Sequence, residues 1–365
     1  MTLILFLIVG CTIIYRRSPR DQGLIALFIA TLIGALIDGP GPVSLLGGAL
    51  LIGAALLVAY PNGLRERFLS APLLTRIRGM LPKLSETEAQ ALDSGSVDWD
   101  GELFSGSPDW SKLLDARPAA LTVAEQAFVD GPVEELCAML DDWAMVHEDL
   151  DLPPAAWDFI KAQGFLGLMI PEAHGGKGFS HSAHSEVVMK ISTRSVSAAV
   201  TVMVPNSLGP GELLQEYGTE EQKAHYLPRL ARGDEIPCFA LTSPVAGSDA
   251  GAIQDKGILC RRAWNGEEVL GLSVTWNKRY ITLAPVATLI GLAIKVYDPD
   301  HLIGDRDLVG VTCVLVPRDL EGVHAGSRHL PMNTVFMNGP TWGTDVFIPL
   351  DQVIGGPEGL GKGWT

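Results

Sequence analysis

The chain is poor in charge, and the charge that it has is mostly negative. Only 19% of its 365 residues are charged, with 42 Asp and Glu against 27 Lys and Arg, and 47% are hydrophobic, which excludes a disordered chain. Residues 1–80 carry a balance of +4 and the whole chain carries −15, so residues 81–365 carry −19. Because residues 81–365 are this acidic, they repel nucleic acid, and we predict no nucleic-acid partner.

The sequence also lacks the usual motifs of disulfide-rich, zinc-binding and hydrolytic proteins. Its five cysteines are irregularly spaced and form no Cys-x-x-Cys pair, which favours reduced thiols over a disulfide frame or a zinc site. His181 and His184 form a close pair without further ligands nearby, so we predict no metal. No Gly-x-Ser-x-Gly motif supports a hydrolase. The glycine pattern at 359–363 follows no predicted strand and is interpreted as a loop.

Long apolar runs are confined to the first eighty residues. Residues 2–15, 24–37 and 43–60 contain no charged side chain. Each is near or below the roughly 20 residues that span a bilayer, and the third is the best candidate. A signal peptide is the alternative for the first run, but basic residues follow that run instead of preceding it. We therefore predict a membrane-anchoring segment at 1–80, with two spans or a re-entrant first segment as alternatives to three.

The arginines predict how this segment lies in the membrane. Arginine clusters at 16–20 and 65–78 flank the runs, and such clusters stay in the cytoplasm. With three spans, both clusters lie inside and the 38–42 turn lies outside. The predicted location is the inner (cytoplasmic) membrane, with the acidic body on the cytoplasmic side.

The rest of the chain divides into three parts. Residues 81–120 are polar and broken by Gly and Pro, which is typical of a linker. Residues 121–236 show helical spacing and a Thr-x-x-Gln capping box at 219–222. Residues 237–365 hold short β-rich segments separated by turns, with an Asn-Gly hairpin signal at 265–266. The predicted fold class is α+β: membrane helices, an α-helical domain, then an antiparallel β domain.

Two segments of the β-rich part are typical of a ligand site. Residues 238–252, CFALTSPVAGSDAGA, pass from a strand pattern into small, hydroxylated and glycine residues, which let a ligand approach the backbone. Residues 275–285, TWNKRYITLAP, place Tyr280 two positions before Thr282, hence on the same face of a strand. An aromatic plane beside a hydroxyl donor suits one side of a flavin ring. Taken alone, both segments also fit ordinary turns and strand packing.

Four separated blocks within residues 121–365 resemble the acyl-CoA dehydrogenase family and occur in the family's order. They are IPEAHGGKGFS, the long block from VPNSLGPGELLQEYGTEEQ to FALTSPVAGSDAGA, TWNKRYITLAPVA and GGPEGLGKGW. With the membrane segment in front, the chain is most similar to the long, membrane-associated bacterial members that degrade fatty acids. The resemblance implies FAD-dependent α,β-dehydrogenation of fatty acyl-CoA to trans-2-enoyl-CoA in β-oxidation. It also implies electron-transfer flavoprotein as the acceptor and a homo-oligomer.

The resemblance further implies which residues hold the cofactor. Eight residues match flavin-contacting positions of the family: Phe239, Leu241, Thr242, Gly247, Ser248, Tyr280, Ile281 and Thr282. The first three match the lining of the flavin, the next two match the turn that meets FAD, and the last three match the wall beside the reactive flavin nitrogen. Ser248 is also expected to contact the acyl-CoA. A hydroxyl donating to that nitrogen favours the charge that arrives with a hydride.

Two departures from the family pattern bear on activity. Ser243 stands where most of the family has Glu, which weakens the transfer of contacts in its loop. The family's catalytic Glu lies in a helical domain after a segment that resembles Gly361 to Trp364, so no catalytic residue is assigned and the base is expected beyond Thr365. General-base help of about 10²- to 10⁴-fold is then missing, and we expect the 365-residue chain to be truncated and inactive alone.

Two other functions remain open from the sequence. An acyl-CoA oxidase-like flavoenzyme would pass its electrons to oxygen and produce hydrogen peroxide. A non-catalytic, membrane-tethered scaffold would keep the fold without needing flavin, so flavin colour in the purified protein separates it from the enzymes.

Overall fold

A computed structural model describes residues 1–39, 41–59, 65–80, 89, 92, 98–116, 120–207 and 209–364. The chain divides into two compact units, Met1–Lys83 and Leu84–Thr365.

Helices in the first unit coincide with the three apolar runs. They span Thr2–Arg16, Arg20–Ile37 and Pro42–Ala59. The α-amino group of Met1 lies 3.0 Å from a carboxylate oxygen of Asp38, so the first helix begins where the second ends and the two are antiparallel. This agrees with the predicted turn at 38–42.

One helix in the described part of the chain, Arg20–Ile37, is long and apolar enough to cross a membrane. The sequence favoured the third run instead. The preference for the third run stays a prediction, because the structure does not describe the side chains of residues 44 and 57 in helix Pro42–Ala59. A further helical stretch in this unit, Glu66–Ser70 continued by Ala71–Met80, has exposed side chains.

The second unit begins with helices. In the predicted linker, the described residues form a 3-10 turn at Trp99–Ser105 and a short helix at Trp110–Asp115. The expected capping box is confirmed, because the Thr219 and Gln222 side chains each accept a hydrogen bond from the other's backbone N–H. The remaining α-helices span Val123–Asp130, Pro132–Met139, Asp142–Ala144, Pro154–Ala162, His181–Ser192, Val196–Ser207, Pro210–Tyr217 and Glu220–Arg232.

A sheet follows the helices, which confirms the α+β class. The strands are β1 (Pro237–Ala240), β2 (Lys256–Trp264), β3 (Glu267–Thr282), β4 (Leu289–Tyr297), β5 (Leu308–Pro317), β6 (Val323–Ala325) and β7 (Asn338–Pro349). Their order in the sheet is β1-β4-β2-β3-β7-β6, with β5 paired to β4. The Asn-Gly hairpin at 265–266 joins β2 to β3 as predicted.

The pairing is antiparallel as predicted, except that β1 and β2 each pair with β4 in parallel. β5 occupies one edge of β4, while β1 and the start of β2 follow each other along the other edge, both parallel to β4. Ala240 pairs with Leu292 and Lys256 pairs with Lys295. The chain leaves this edge after β1 and returns to it in the same direction, so both strands are parallel to β4. The 241–255 loop projects from this gap.

Helices and strands of the second unit share one hydrophobic core. It includes Ile160 and Val202 from the helices with Trp276 and Leu292 from the sheet, all at most 2% exposed. Burying a large apolar side chain contributes about 1.5–3 kcal/mol relative to exposing it. The predicted domain boundary at 236–237 falls between the last helix and β1, but packing continues across it. The strand ends that carry the candidate site are therefore firmly supported.

Candidate functional site

The two predicted segments lie side by side. The backbone N of Arg279 donates to the carbonyl of Thr242 at 3.1 Å, and its guanidinium donates to the carbonyl of Pro244 at 3.3 Å. Arg279 immediately precedes Tyr280, so the 241–248 loop adjoins the end of β3. The structure thus brings the segments of Thr242 and Tyr280 together, as expected if both contact one flavin.

The loop presents its glycine and hydroxyl residues to the surface. Ser243 and Ala246 exchange backbone hydrogen bonds and close a tight turn, after which Gly247 and Ser248 are exposed. A Cβ added to Gly247 would meet no atom within 4 Å, so protein packing does not require glycine there. Open space beside the backbone lets a ligand approach the chain closely.

The other predicted loop residues are less accessible. Leu241 and Thr242 are half-buried where the chain leaves the sheet. Phe239 is half-buried whereas the other residues of β1 are buried, so its side chain lies on the opposite face of the strand. Its ring packs over Gly291, because a Cβ added to that glycine would be 3.0 Å from the ring. The Ser243 hydroxyl is buried and has no hydrogen-bond partner among the described residues.

Tyr280 lies in a β-bulge with an unusual backbone. The register with β7 shifts between Lys278 and Ile281, which breaks the strand alternation assumed from the sequence. Tyr280 has φ of 58°, a left-handed conformation that is strained for a residue with a large side chain. Tyr280 is 56% exposed, and its ring centroid lies 4.4 Å from that of His329. Strain of this kind concentrates at functional sites.

The Thr282 hydroxyl oxygen accepts a hydrogen bond from a side-chain amide of β7. The donor is Asn338 Nδ2, at 3.2 Å from Thr282 Oγ1, and the same amide donates to the Tyr280 carbonyl at 3.2 Å. His329 Nδ1 lies 3.1 Å from Asn338 Oδ1 and donates to it, because the amide nitrogen faces the other way. With its acceptor side occupied, the Thr282 hydroxyl is set to donate. Ile281, between the two, is buried in the core.

A polar cleft of about 560 Å³ adjoins the tight turn of the loop. Trp342 lines it, stacked on His324 with ring centroids 5.5 Å apart. The other lining residues come from the loop, β3 and β7: Ser243, Pro244, Val245, Gln254, Asp255, Thr275, Trp276, Asn277 and Thr344.

Sequence reasoning missed the residues that hold the site together. Arg279, Asn338 and His329 were not singled out, although Arg279 stands inside the quoted TWNKRYITLAP block. Asn338 and His329 lie 56 and 47 residues from Thr282 in the chain, and no local pattern marks them. The roles of the eight matched residues, the catalytic base beyond Thr365 and the truncation stay predictions.

Residues 124–234 match the N-terminal domain of acyl-CoA dehydrogenases. The acyl-CoA dehydrogenase of Bacillus subtilis is 39% identical over 167 residues, which cover 45% of this chain and 40% of that protein. Protein HemX of Proteus mirabilis is 56% identical over 72 residues, which cover 20% of this chain and 42% of that protein. The chain therefore spans less than half the length of these relatives.

A solved structure shares the fold. The acyl-CoA dehydrogenase of Bacillus anthracis, complexed with FAD, aligns with 68% of this chain and 39% of its own, with a TM-score of 0.56 and 22% identity. Residues 124–234 therefore match the N-terminal domain of acyl-CoA dehydrogenases, and 68% of the chain shares the fold of part of such an enzyme.

Proposed function

We propose that the chain binds FAD and belongs to an enzyme that dehydrogenates fatty acyl-CoA to trans-2-enoyl-CoA in β-oxidation. The observation that carries this proposal is the Thr282 hydroxyl, whose oxygen accepts a hydrogen bond from Asn338 and whose proton is left to donate, two residues from the exposed Tyr280. A hydroxyl donor and an exposed aromatic side chain on one segment suit the edge and face of a flavin. The related Bacillus anthracis structure contains FAD.

The residues present fit this cofactor. Thr282 would donate to the edge of the flavin ring, Tyr280 would support its plane, and the open backbone at Gly247 with the Ser248 hydroxyl would meet its polar groups. Bound FAD would supply a two-electron acceptor for the hydride that leaves the β-carbon of the acyl group. A fixed donor at the place where negative charge arrives stabilises that charge without reorganisation.

Partners are proposed on the same basis. The family match supports an acyl-CoA as the substrate, and the polar cleft beside the loop offers room for part of it. Electron-transfer flavoprotein is the proposed acceptor, and a homo-oligomer is the proposed assembly.

A titration tests the cofactor. FAD is added to the purified 365-residue chain and binding is followed by flavin fluorescence and absorbance. Thr282→Val removes the donor at nearly constant shape and is expected to weaken binding about tenfold, since a hydrogen bond contributes about 0.5–1.5 kcal/mol. Thr282→Ser keeps the hydroxyl and is the control. A wild-type chain that binds no FAD refutes the proposal and favours the scaffold.

We propose further that the protein is attached to the cytoplasmic membrane. Helix Arg20–Ile37 is long and apolar enough to span. The helix Ala71–Met80 exposes an apolar stripe flanked by Arg76 and Arg78, a pattern that suits the surface of an anionic membrane. Alkaline washing of membranes is expected to leave the chain in the pellet, and deletion of residues 1–80 is expected to release it. The stripe consists of Leu73, Leu74, Ile77 and Met80.

A further inference from the structure

A buried ion pair lies next to the loop that carries Thr242 and Ser248. Lys278 Nζ is 2.6 Å from Asp255 Oδ2, and the two side chains are 0% and 4% exposed. Burial lowers the pKa of Lys278, while the hydrogen bond and charge of Asp255 oppose that shift. Taking two charges out of water is so unfavourable that a buried pair is a poor way to gain stability. The presence of such a pair at the base of this loop points to another role.

The pair joins both ends of the loop to the sheet. Lys278 Nζ also donates to the carbonyl of Leu241 at 2.8 Å, at the beginning of the loop. At the end of the loop, Asp255 Oδ1 accepts from the backbone N of Asn277 at 2.7 Å. The Asp255 carbonyl accepts from the backbone N of Lys295 in β4 at 2.9 Å. One pair of side chains thus fixes where the loop starts and where it ends.

The attachment point adjoins the candidate flavin wall. The chain loses its ladder with β4 after Ala240, so the next carbonyls need new donors. Lys278 supplies one to Leu241 and the backbone of Arg279 supplies one to Thr242. These consecutive residues of β3 directly precede Tyr280. The same three residues of β3 therefore hold the loop and carry the exposed ring.

We propose that Lys278 and Asp255 are positioning residues, which set the 241–248 loop against the Tyr280–Thr282 segment and so determine how tightly this site holds a flavin. The inference rests on the proposed function. Lys278 is suited to this role because its long side chain extends from β3 to the Leu241 carbonyl, and Asp255 provides a negative charge beside its ammonium group in the interior.

The decisive variant removes both charges at once. Lys278→Met leaves a side chain of similar length that cannot donate, and Asp255→Asn keeps an oxygen for the Asn277 amide. A double variant avoids the unpaired buried charge that either change alone creates, so its melting temperature is expected to stay near that of the wild type. Hydrogen exchange of the Arg279 amide, which bonds the loop, is expected to accelerate. FAD binding is expected to weaken about tenfold to a hundredfold, as for the loss of a hydrogen bond to a charged group.

A matched control exists in the helical part. Lys190 Nζ binds the Glu134 carboxylate at 2.8 Å and the Val129 carbonyl at 2.8 Å, with Asp130 at 3.9 Å, in a partly exposed setting. The double variant Lys190→Met/Glu134→Gln is expected to leave both the Arg279 exchange and the FAD affinity unchanged.

The outcomes separate this inference from the proposed function. The inference is overturned if the Lys278/Asp255 double variant shows unchanged hydrogen exchange at the Arg279 amide and unchanged FAD affinity. It is also overturned if that exchange becomes faster while the FAD affinity stays the same. If the wild type binds no FAD, the proposed function fails and the cofactor part of the inference fails with it, while exchange still reports whether the pair holds the loop. If the double variant does not fold, Lys278→Arg, which keeps a positive charge beside Asp255 but changes the bond to the Leu241 carbonyl, is measured in the same way, with the same direction expected.

Discussion

Replacing Tyr280 by glycine is expected to separate stability from cofactor binding. Tyr280 combines a left-handed φ of 58° with a side chain that is 56% exposed. A residue selected for packing alone would not be an exposed aromatic in this conformation, because glycine adopts it without a steric penalty. Tyr280→Gly therefore removes backbone strain and the predicted flavin support in one step.

The expected change in the free energy of unfolding is small. Relieving the left-handed conformation gains about 1–2 kcal/mol. Glycine lowers the free energy of unfolding by about 0.5–1 kcal/mol, because it raises the entropy of the unfolded chain. Loss of the ring contact with His329, at 4.4 Å between centroids, lowers it further, by about 0.5–1.5 kcal/mol. The terms nearly cancel, so the variant is expected to unfold within about 1 kcal/mol of the wild type.

Urea unfolding and FAD titration on the same preparations provide the assay. FAD binding is expected to weaken about tenfold, the equivalent of about 1.4 kcal/mol. Asn265→Gly is the control, since Asn265 is also exposed with a φ of 52° but lies at the β2–β3 hairpin. A loss of more than about 2 kcal/mol in Tyr280→Gly would mean that the ring is structural. Unchanged FAD affinity would refute the argument that strain here serves a ligand.

Three further changes test other parts of the reasoning. Glu125 accepts two backbone hydrogen bonds at 2.7 Å, which lower its pKa to about 2. Glu125→Gln is therefore expected to destabilise the fold at neutral pH. In acid-unfolding curves, the difference in stability between the variant and the wild type is expected to shrink as the pH falls from about 4.5 towards 2. Gly343→Ala would place a Cβ 2.3 Å from the buried Trp276 ring and is expected to lower the free energy of urea unfolding by about 1–3 kcal/mol. In Asn338→Asp the side chain cannot donate to Thr282, so the Thr282 hydroxyl would donate to the new carboxylate instead of to a flavin. FAD titration is expected to show binding about tenfold weaker.

Local signals in the sequence predicted local structure. The capping box at 219–222 and the hairpin at 265–266 depend on residues within three positions of each other, so the pattern alone specifies them. The resemblance identified the two segments of the candidate site for a similar reason, since each is a short continuous block. Features that depend on distant residues were not predicted. The parallel pairing of β1 and β2 follows from where the 241–255 loop returns to β4, which no short pattern encodes.

The bulge at the end of β3 shows why a correct segment did not yield its geometry. Strand alternation places Tyr280 and Thr282 on one face, but an extra residue between Lys278 and Ile281 breaks that alternation. Contacts across the sheet fix what replaces it, because Asn338 bonds both the Tyr280 carbonyl and the Thr282 hydroxyl from a position 56 to 58 residues away. A side-chain amide cannot make these two bonds if the bulge shifts by one residue. The orientation of the hydroxyl, on which the proposed chemistry depends, is therefore set by β7 and not by the segment that contains it.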